Sequence, residues 1–353
     1  MPRAIVSRLR RVLGILGLVI AVGTPTAARA DIAYFVSKTN GGLYTFDTSG
    51  TAITALTGTN TFPNATALAM GSDGNLYVGD STGGGSIKRY VMASGSVSTV
   101  VTLNGLGPTF TGSPVSPGAI AFTSGGGMLV GRNPEVAFFP GGVAAWPGGA
   151  VLNITGWRVG ESTSISSYTS GTAQNYSPGL ALASDGTLYA SNSFYDAQTF
   201  IMTGNVLKFD GSGAYQSVTA ADASGSGGLF GPSGLGVSGN SLYIASTMDG
   251  NVYKTDLTNP DTSLNTTVFG STGGDYIGPL SVLSDGGLLV GSVASSGLMY
   301  RFDTAGNLIN TIGGASYGAI GGIVAVPEPS AVLLAVAGAA CMRLWRLRGR
   351  RGA

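Results

Sequence analysis

The sequence predicts an all-β fold in which a unit of four strands recurs along the chain. Three observations support this: copies of one segment recur, each copy contains short alternating apolar runs, and Asp-Gly pairs separate these runs. The clearest copies include LAMGSDGNLYVGD, LALASDGTLYASNS and LSDGGLLVGS. These copies occupy 68–90, 180–210 and 283–303, and weaker copies occupy 120–146 and 235–256.

Each copy is expected to form a strand, a tight turn, a second strand, a loop and a third strand. We predict two-residue hairpin turns at the Asp-Gly pairs, because such turns need positive φ; their aspartates are Asp73, Asp185 and Asp285. We expect turn-capping aspartates at the ends of third strands: Asp47, Asp210, Asp256 and Asp303. Alternating segments that supply fourth strands follow at 97–103, 151–159, 215–221, 262–268 and 308–312.

The two ends of the repeated region complement each other. Residues 33–36, 42–47 and 52–57 supply a second, third and fourth strand, whereas 318–326 supply a first strand alone. A circular array whose last unit uses both chain ends would bury the edges of an open sheet. We therefore predict a six-bladed β-propeller over 31–326, with about 49 residues per blade and a closing blade shared by both ends. An open sandwich or solenoid is the alternative.

The repeat pattern supports a family resemblance. Its elements are Pro-x-Gly-Leu-Ala, Asp-Gly-x-Leu-Tyr-Val and Gly-x-Val-x-Lys-Phe-Asp. This pattern resembles the six-bladed propellers of the NHL-repeat and gluconolactonase-like group. The resemblance implies the fold over most of 31–326 and leaves the function open. The chain contains no histidine, which departs from the histidine-dependent streptogramin-lyase-like propellers and excludes a Ser-His-Asp site.

Residues 1–30 are predicted to be a signal peptide. Arg3 and further arginines precede an apolar run at 12–22, and a small-residue stretch ends at Ala28-Arg29-Ala30. Cleavage after Ala30 by a Sec-type signal peptidase would make Asp31 the first residue. The alternative is an uncleaved membrane anchor, but eleven apolar residues at about 1.5 Å each are too short to span the bilayer.

Residues 327–353 are predicted to be a sorting segment. The motif Pro327-Glu328-Pro329 precedes an apolar stretch at 330–342, and a cluster of basic residues follows: Arg343, Arg346, Arg348, Arg350 and Arg351. This order resembles the PEP-CTERM signal. The resemblance implies processing at the motif by an exosortase and a short transmembrane helix that holds the precursor in the membrane, with the arginines on the cytoplasmic side. The alternative is a stiff linker before a permanent tail anchor.

The composition of the predicted propeller excludes some partners. Residues 31–326 hold eight basic and sixteen acidic residues, so the net charge is −8, which disfavours nucleic acid. The single cysteine, Cys341, lies in the predicted tail, so this region has no disulfide or thiol nucleophile. We expect no cofactor and no metal site. The expected protein is non-enzymatic, binds or builds extracellular matrix, and is retained at the cell surface or released, with an extracellular polysaccharide as a candidate partner.

Two sets of loop residues carry more specific hypotheses. Loop oxygens at the mouth of the propeller would be needed for the alternative function, a calcium-dependent lactonase-like hydrolase; they belong to Glu135, Glu161, Asp196, Asp222, Asp275, Asn175 and Asn192. Irregular loop aromatics could stack on carbohydrate: Phe138, Phe139, Trp146, Trp157, Tyr195 and Tyr276. Tyr77, Tyr189 and Tyr243 recur at one repeat position, which favours sheet packing.

Overall fold

The computed structural model describes residues 31–103, 116–132, 135–139, 152–153, 173–175, 179–196, 201–211, 215–221, 229–258 and 266–328. Their regular structure is β-strand, apart from a 3-10 turn at Thr82–Gly84. Among these residues, no helix has the length and apolar character required to cross a membrane. The predicted signal peptide and the predicted transmembrane segment lie outside the described residues.

The described strands form six antiparallel sheets. Sheet 1 contains β4 (Ala65–Met70), β5 (Leu76–Asp80), β6 (Ser86–Tyr90) and β7 (Val97–Thr102). Sheet 2 contains β8 (Pro117–Phe122), β9 (Met128–Arg132), β10 (Glu135–Phe139) and β11 (Leu152–Asn153). Sheet 4 contains β17 (Pro232–Ser238), β18 (Ser241–Ser246), β19 (Asn251–Asp256) and β20 (Thr266–Ser271). Sheet 5 contains β21 (Ile277–Val282), β22 (Leu288–Ser292), β23 (Leu298–Phe302) and β24 (Leu308–Gly313).

Sheet 3 departs from the regular unit because it has five strands. They are β12 (Ala173–Asn175), β13 (Leu180–Leu182), β14 (Leu188–Asp196), β15 (Ile201–Phe209) and β16 (Tyr215–Ala221). The short strands β12 and β13 pair with consecutive parts of the nine-residue β14. The prediction of six regular blades is therefore wrong in detail: five blades have four strands, and the remaining sheet has an extended central hairpin and a divided inner edge.

The closing sheet joins both ends of the described chain, as the sequence predicted. It contains β25 (Ile320–Pro327), β1 (Asp31–Ser37), β2 (Leu43–Asp47) and β3 (Ile53–Ala55), in that order. β25 pairs antiparallel with β1 from Ile320 opposite Ser37 to Pro327 opposite Asp31. The strand thus includes Pro327, one residue beyond the predicted boundary at Val326. A proline is tolerated there because β25 is an edge strand at the end of its ladder.

The six sheets surround a central axis. The inner strand of each sheet contacts the inner strand of the next sheet, and β25 contacts β4 to close the ring. Each pair of neighbouring sheets also shares a buried apolar cluster. In β1, Ala33 and Phe35 belong to the cluster with sheet 5, whereas Tyr34 and Val36 belong to the cluster with sheet 1. Alternate side chains therefore fill opposite interfaces, so the second strands read as continuous apolar runs.

The repeat tyrosines lie in these interfaces, which confirms the prediction of sheet packing. Tyr77, Tyr189 and Tyr243 are at most 6% exposed. The Tyr77 ring of sheet 1 packs against Phe122 of sheet 2, with 4.9 Å between ring centroids.

Small residues let the inner strands approach closely. A Cβ atom at Gly321 of β25 would lie 2.1 Å from the Ala65 carbonyl oxygen of sheet 1, and one at Gly234 of β17 would lie 2.0 Å from the Gly278 carbonyl oxygen of sheet 5. Both contacts are with backbone of the neighbouring sheet, which cannot rotate away. A side chain at either glycine would therefore push two sheets apart.

Replacing Gly321 by Ala is expected to lower the free energy of unfolding by about 1–3 kcal/mol, because the added methyl group overpacks the ring. Gly58→Ala is the matched control, since a Cβ there has no neighbour within 4 Å. Urea unfolding of both variants measures the difference. Equal unfolding midpoints for the two variants would contradict the close approach of the inner strands.

The predicted two-residue hairpins are longer in the structure. Met70 pairs with Leu76, which leaves five connecting residues, 71–75, and Gly74 has φ +74°. Asp73 does not adopt positive φ; its Oδ1 accepts hydrogen bonds from the backbone, with the Asn75 N–H at 3.1 Å. Asp185 and Asp285 accept the equivalent bond from Thr187 and Gly287. The turn role of these aspartates is confirmed, and the turn length is corrected because the side chain itself closes part of the turn.

The remaining strand predictions agree with the structure wherever their residues are described. Two predicted fourth strands are described only in part: β20 covers Thr266–Ser271 and β11 covers Leu152–Asn153, and residues 262–265, 151 and 154–159 lie outside the described residues. The capping role of third-strand aspartates is confirmed at Asp47, Asp256 and Asp303, which accept bonds from backbone N–H groups of the following turns. Asp210 accepts a bond from the Gln216 side chain, and residues 212–214, which follow it in the turn, lie outside the described residues.

Tyr77 connects a turn to a sheet interface. Its hydroxyl donates to Asp73 Oδ2 at 2.8 Å. Burial, together with this hydrogen bond, raises the pKa of Tyr77 to about 12 from its ordinary value of 10. A raised pKa contributes stability that is complete below pH 10 and is lost as the pH rises through 12, since the unfolded chain ionises first.

Wild-type protein is therefore expected to lose more stability than Tyr77→Phe between pH 9 and pH 11. The reason is that the variant has no phenol to ionise at this position. Urea unfolding at several pH values in this range measures the two slopes. An equal dependence of stability on pH in the wild type and in Tyr77→Phe would contradict the raised pKa of Tyr77.

Candidate ligand site at the channel mouth

A cavity of about 590 Å³ lies on the propeller axis. It is lined by the first residues of all six inner strands, among them Thr66, Gly118, Leu180, Ser233, Gly278 and Gly321. It therefore opens on the face where inner strands begin and second strands end. The first described residue, Asp31, and the last residue of β25, Pro327, lie at the opposite ends of these strands. We call the open end of this cavity the channel mouth.

Buried polar residues surround the channel mouth at one repeat position. Four of them end their second strands and the fifth, Asn192, lies in the middle of the longer β14; each has 0% exposure: Ser37, Asp80, Asn192, Ser246 and Ser292. Each follows a similar run, as in YFVS, LYVGD, LYASN, LYIAS and LLVGS. We refer to these five residues as the polar collar.

The polar collar holds the loops around the channel mouth. Ser37 Oγ donates to the Tyr317 carbonyl, and Ser246 Oγ donates to the Phe230 carbonyl at 3.1 Å. Ser292 Oγ accepts from the Ala294 N–H at 3.1 Å and from Ser296 Oγ. Such bonds satisfy loop backbone groups that the sheet ladders leave free. These serines therefore fix loop positions, whereas Asn192 Oδ1 is buried and has no hydrogen-bond partner among the described residues.

Asp80 is the charged member of the polar collar. Its Oδ2 lies 2.5 Å from Lys88 Nζ, and its Oδ1 accepts from the Thr82 N–H at 2.9 Å. The Lys88 side chain is 21% exposed, and its ammonium lies 6.0 Å from the Phe62 ring centroid. Because both carboxylate oxygens are engaged, this pair fixes the loop after β5.

Lys38 is the charged residue among the described residues that line the cavity. It is exposed, and the described part of the chain gives its ammonium no ion pair, hydrogen bond or ring contact. Other basic side chains have partners: Lys88 and Arg301 pair with Asp80 and Asp285, and Lys254 lies 5.7 Å from the Tyr243 ring centroid. Lys38 is thus a cation at the channel mouth that is free to meet an anionic or polar ligand.

Three exposed apolar side chains belong to residues in or next to the cavity lining. Met248, Tyr276 and Val293 are 37%, 47% and 38% exposed. Val293 lines the cavity, and its N–H donates to the Tyr276 carbonyl at 2.8 Å. Met248 follows Thr247, another lining residue. The Tyr276 backbone is therefore held next to a lining residue, and its exposed ring is available to contact the flat face of a ligand.

Two residues of the predicted calcium site, Asp275 and Asn192, have described side chains, and both are engaged in hydrogen bonds within the fold. Asp275 is fully engaged: Oδ2 accepts from Tyr300 and Ser296, and Oδ1 accepts from the Tyr276 N–H. Burial alone would raise its pKa, but these hydrogen bonds outweigh it and hold the pKa of Asp275 below its ordinary value. Asn192 is buried and donates to Asn205 Oδ1 at 3.0 Å.

The side chains of the other predicted calcium ligands lie outside the described part of the structure. Glu135, Asn175 and Asp196 lie on described strands, but their side chains are outside the described set, and Glu161 and Asp222 lie outside it altogether. Within the described residues, no three acidic, histidine or cysteine side chains form a group that could hold a metal ion.

The predicted aromatic and sorting residues are partly described. Of the loop aromatics, Tyr276 lies at the channel mouth; the side chains of Phe138, Phe139, Trp146, Trp157 and Tyr195 are outside the described set. Pro327 and Glu328 are exposed at the end of β25. Pro329, the arginines at 343–351, Ala28 and Ala30 lie outside the described residues.

Lys38 and the polar collar were missed from the sequence. The collar had a signal, because the repeated segments LYVGD, LYASN, LYIAS and LLVGS each end in a polar residue. Lys38 had none, since a single lysine in a turn is ordinary in sequence.

The ring of sheets and its axial cavity define the class of the protein as an all-β propeller. No protein-family model matches the chain, and no curated protein sequence matches it. Its fold is similar to that of a chain in the crystal structure of a nidogen/laminin complex, with a TM-score of 0.61, 15% identity, and coverage of 85% of this chain and 100% of that one. A putative gluconolactonase structure has a TM-score of 0.48 and 14% identity, with coverage of 69% of this chain and 76% of that one. The first of these supports the propeller fold and no particular activity.

Proposed function

We propose that this chain is an exported, non-enzymatic β-propeller of the cell surface or extracellular matrix that binds its ligand at the channel mouth. The observation that carries the proposal is the 590 Å³ cavity with Lys38 at its opening. Among the described lining residues there is no carboxylate, so the lining offers hydroxyl groups, backbone groups and one ammonium. These groups suit binding better than acid–base catalysis.

Sheet 3 is proposed to be the sixth blade of a six-bladed ring. Its inner strand β13 contacts β8 on one side and β17 on the other. Its interfaces with sheets 2 and 4 contain buried clusters of the same kind as those elsewhere in the ring. The extended β14–β15 hairpin is then an insertion within one blade.

Export and sorting are proposed from the sequence at the two ends. The chain would lose residues 1–30 after Ala30, and an exosortase would process it at Pro327-Glu328-Pro329 while residues 330–353 hold it in the membrane. The paired positions of Asp31 and Pro327 support this arrangement, because both cuts would then fall at the edge of the folded propeller without dividing a strand.

Processing is tested by terminal sequencing and intact mass of the protein from its native host, with and without the exosortase. The proposal expects a first residue of Asp31, and a last residue near 327–329 only when the exosortase is present. A chain that still ends at Ala353 in the presence of the exosortase would overturn the sorting proposal and favour a permanent tail anchor.

An extracellular polysaccharide is the proposed ligand. A sugar ring can stack on Tyr276, while Lys38 can bind its hydroxyl or carboxylate oxygens. The net charge of −8 over 31–326 makes a long polyanion a poor general partner, so the ligand is expected to enter the channel mouth by one end.

Binding of the host's purified extracellular polysaccharide tests this proposal. Lys38→Ala and Tyr276→Ala are each expected to weaken binding roughly tenfold, the effect of removing one central contact. Leu308→Ala is the matched control, because this side chain is 45% exposed on the outer strand β24, away from the cavity lining. Equal affinity of the wild type and of both channel-mouth variants would overturn the site.

A further inference from the structure

Asp31 is buried at the junction between the two chain ends. The residue is 2% exposed, lies opposite Pro327 in β25, and exchanges two bonds with Thr48. Its N–H donates to Thr48 Oγ1 at 3.0 Å, and its carbonyl accepts from the Thr48 N–H at 2.9 Å. The first residue left by the predicted signal cleavage is therefore part of the closed fold.

The side chain of Asp31 ties the closing sheet to sheet 5. Oδ2 accepts from the Ser284 N–H at 2.7 Å. Beside it, Arg301 of sheet 5 donates to the Thr48 carbonyl at 2.7 Å and to Asp285 Oδ2 at 2.9 Å. We call Asp31, Thr48, Ser284, Asp285 and Arg301 the closing node. It lies on the face opposite the channel mouth.

One carboxylate oxygen in the closing node is unsatisfied. Asp31 Oδ1 is buried and has no hydrogen-bond partner among the described residues. A buried carboxylate oxygen without a hydrogen-bond donor destabilises the folded state, because it loses its hydrogen bonds to water and forms none in the protein. The Asp31 backbone nitrogen carries a single hydrogen while a peptide bond joins it to Ala30, and that hydrogen already goes to Thr48 Oγ1.

Cleavage after Ala30 would change this balance. Hydrolysis by water breaks the C–N bond between Ala30 and Asp31, leaves a carboxylate on Ala30, and turns the Asp31 amide nitrogen into an α-ammonium group with three hydrogens and a positive charge. One ammonium hydrogen can still be donated to Thr48 Oγ1. The other two are then free to be donated to Oδ1, which belongs to the same residue. The new charge also offsets the carboxylate charge, which favours burial of both.

We propose that the α-ammonium of Asp31, created by signal cleavage, is a built-in ligand of the closing node that locks the propeller ring. This rests on the proposed export cut after Ala30. The precursor folds with an unsatisfied carboxylate oxygen, and in the processed protein the α-ammonium can satisfy it, while Oδ2 of the same carboxylate stays bonded to Ser284 beside sheet 5. Removal of the signal peptide thereby stabilises ring closure.

The test uses the exported, processed full chain and three variants. The first variant has a glycine inserted between Ala30 and Asp31, which keeps the α-ammonium but moves it one residue away. The second is Asp31→Asn, and the third combines the two changes. Terminal sequencing establishes the first residue of each, and urea unfolding gives each unfolding equilibrium constant.

The insertion is expected to raise the unfolding equilibrium constant about tenfold, the effect of losing one hydrogen bond to a charged group. Asp31→Asn is expected to raise the unfolding equilibrium constant of the wild type by about the same factor. In the chain with the inserted glycine its effect should be clearly smaller, because the insertion has already moved the α-ammonium away from the residue 31 side chain. Equal costs in both backgrounds, or an insertion without effect, overturn this inference while leaving the export cut intact. A wild-type chain that does not begin at Asp31 overturns the export cut and this inference together.

Discussion

Replacing Lys88 by Met is expected to lower the free energy of unfolding by about 3–5 kcal/mol, because it leaves a buried charge without its partner. Asp80 has 0% exposure, and without the ammonium its carboxylate would keep only the Thr82 N–H. The Met side chain has a similar volume, so the loss of stability comes from the missing positive charge and not from a cavity. Urea unfolding at neutral pH measures it.

Arg89→Met is the matched control on the adjacent residue. Arg89 lies 4.0 Å from Asp73, and both side chains are more than a third exposed, so this pair is expected to contribute no more than about 1 kcal/mol. The double variant Asp80→Ala, Lys88→Met should be more stable than Lys88→Met alone, since it removes the unpaired charge. Similar losses for Lys88→Met and Arg89→Met would contradict the burial of the Asp80 pair.

Replacing Phe302 by Ala is expected to lower the free energy of unfolding by about 3–5 kcal/mol through the cavity that it leaves. Phe302 is fully buried at the end of β23 and belongs to the cluster shared by sheets 4 and 5. Its ring also lies close to the backbone of β20, since a Cβ at Gly270 would be 2.8 Å from ring atoms. Relaxation of the site is therefore limited by the neighbouring sheet.

Leu308→Ala provides the comparison for Phe302. Leu308 lies opposite Phe302 in the strand register but is 45% exposed, so its truncation should change stability by less than about 1 kcal/mol. Thermal and urea unfolding should rank the two variants in this order. A small effect at Phe302 would mean that sheets 4 and 5 are not packed as the structure has them.

Much of the propeller was predictable because its determinants are local and repeated. Asp73-Gly74 and its equivalents mark the hairpins, and the missing first strand at 33–57 is complemented by the spare strand at 318–326. The pairing of Asp31 with Pro327 confirms that complementarity. The sequence pattern could not fix turn length, because an aspartate side chain that accepts the Asn75 N–H allows a five-residue connection.

The irregular sheet and the candidate site were less accessible from sequence. The insertion between Asn192 and Gly204 was visible, but nothing in it indicates that β14 and β15 extend through it as one hairpin. The site depends on positions that come together only through ring closure. Lys38 and Val293 lie 255 residues apart and line one cavity, a neighbourhood that no local pattern encodes.

The location of both chain ends has a consequence for how the protein would face its surroundings. Pro327 leaves the ring on the face opposite the channel mouth, so a tether formed by the following residues would hold that face toward the cell envelope. The binding cavity would then point to the external medium while the protein is still attached. Many tethered copies would present parallel, outward-facing cavities to one polymer, and such an arrangement raises avidity without any new contact in the individual site.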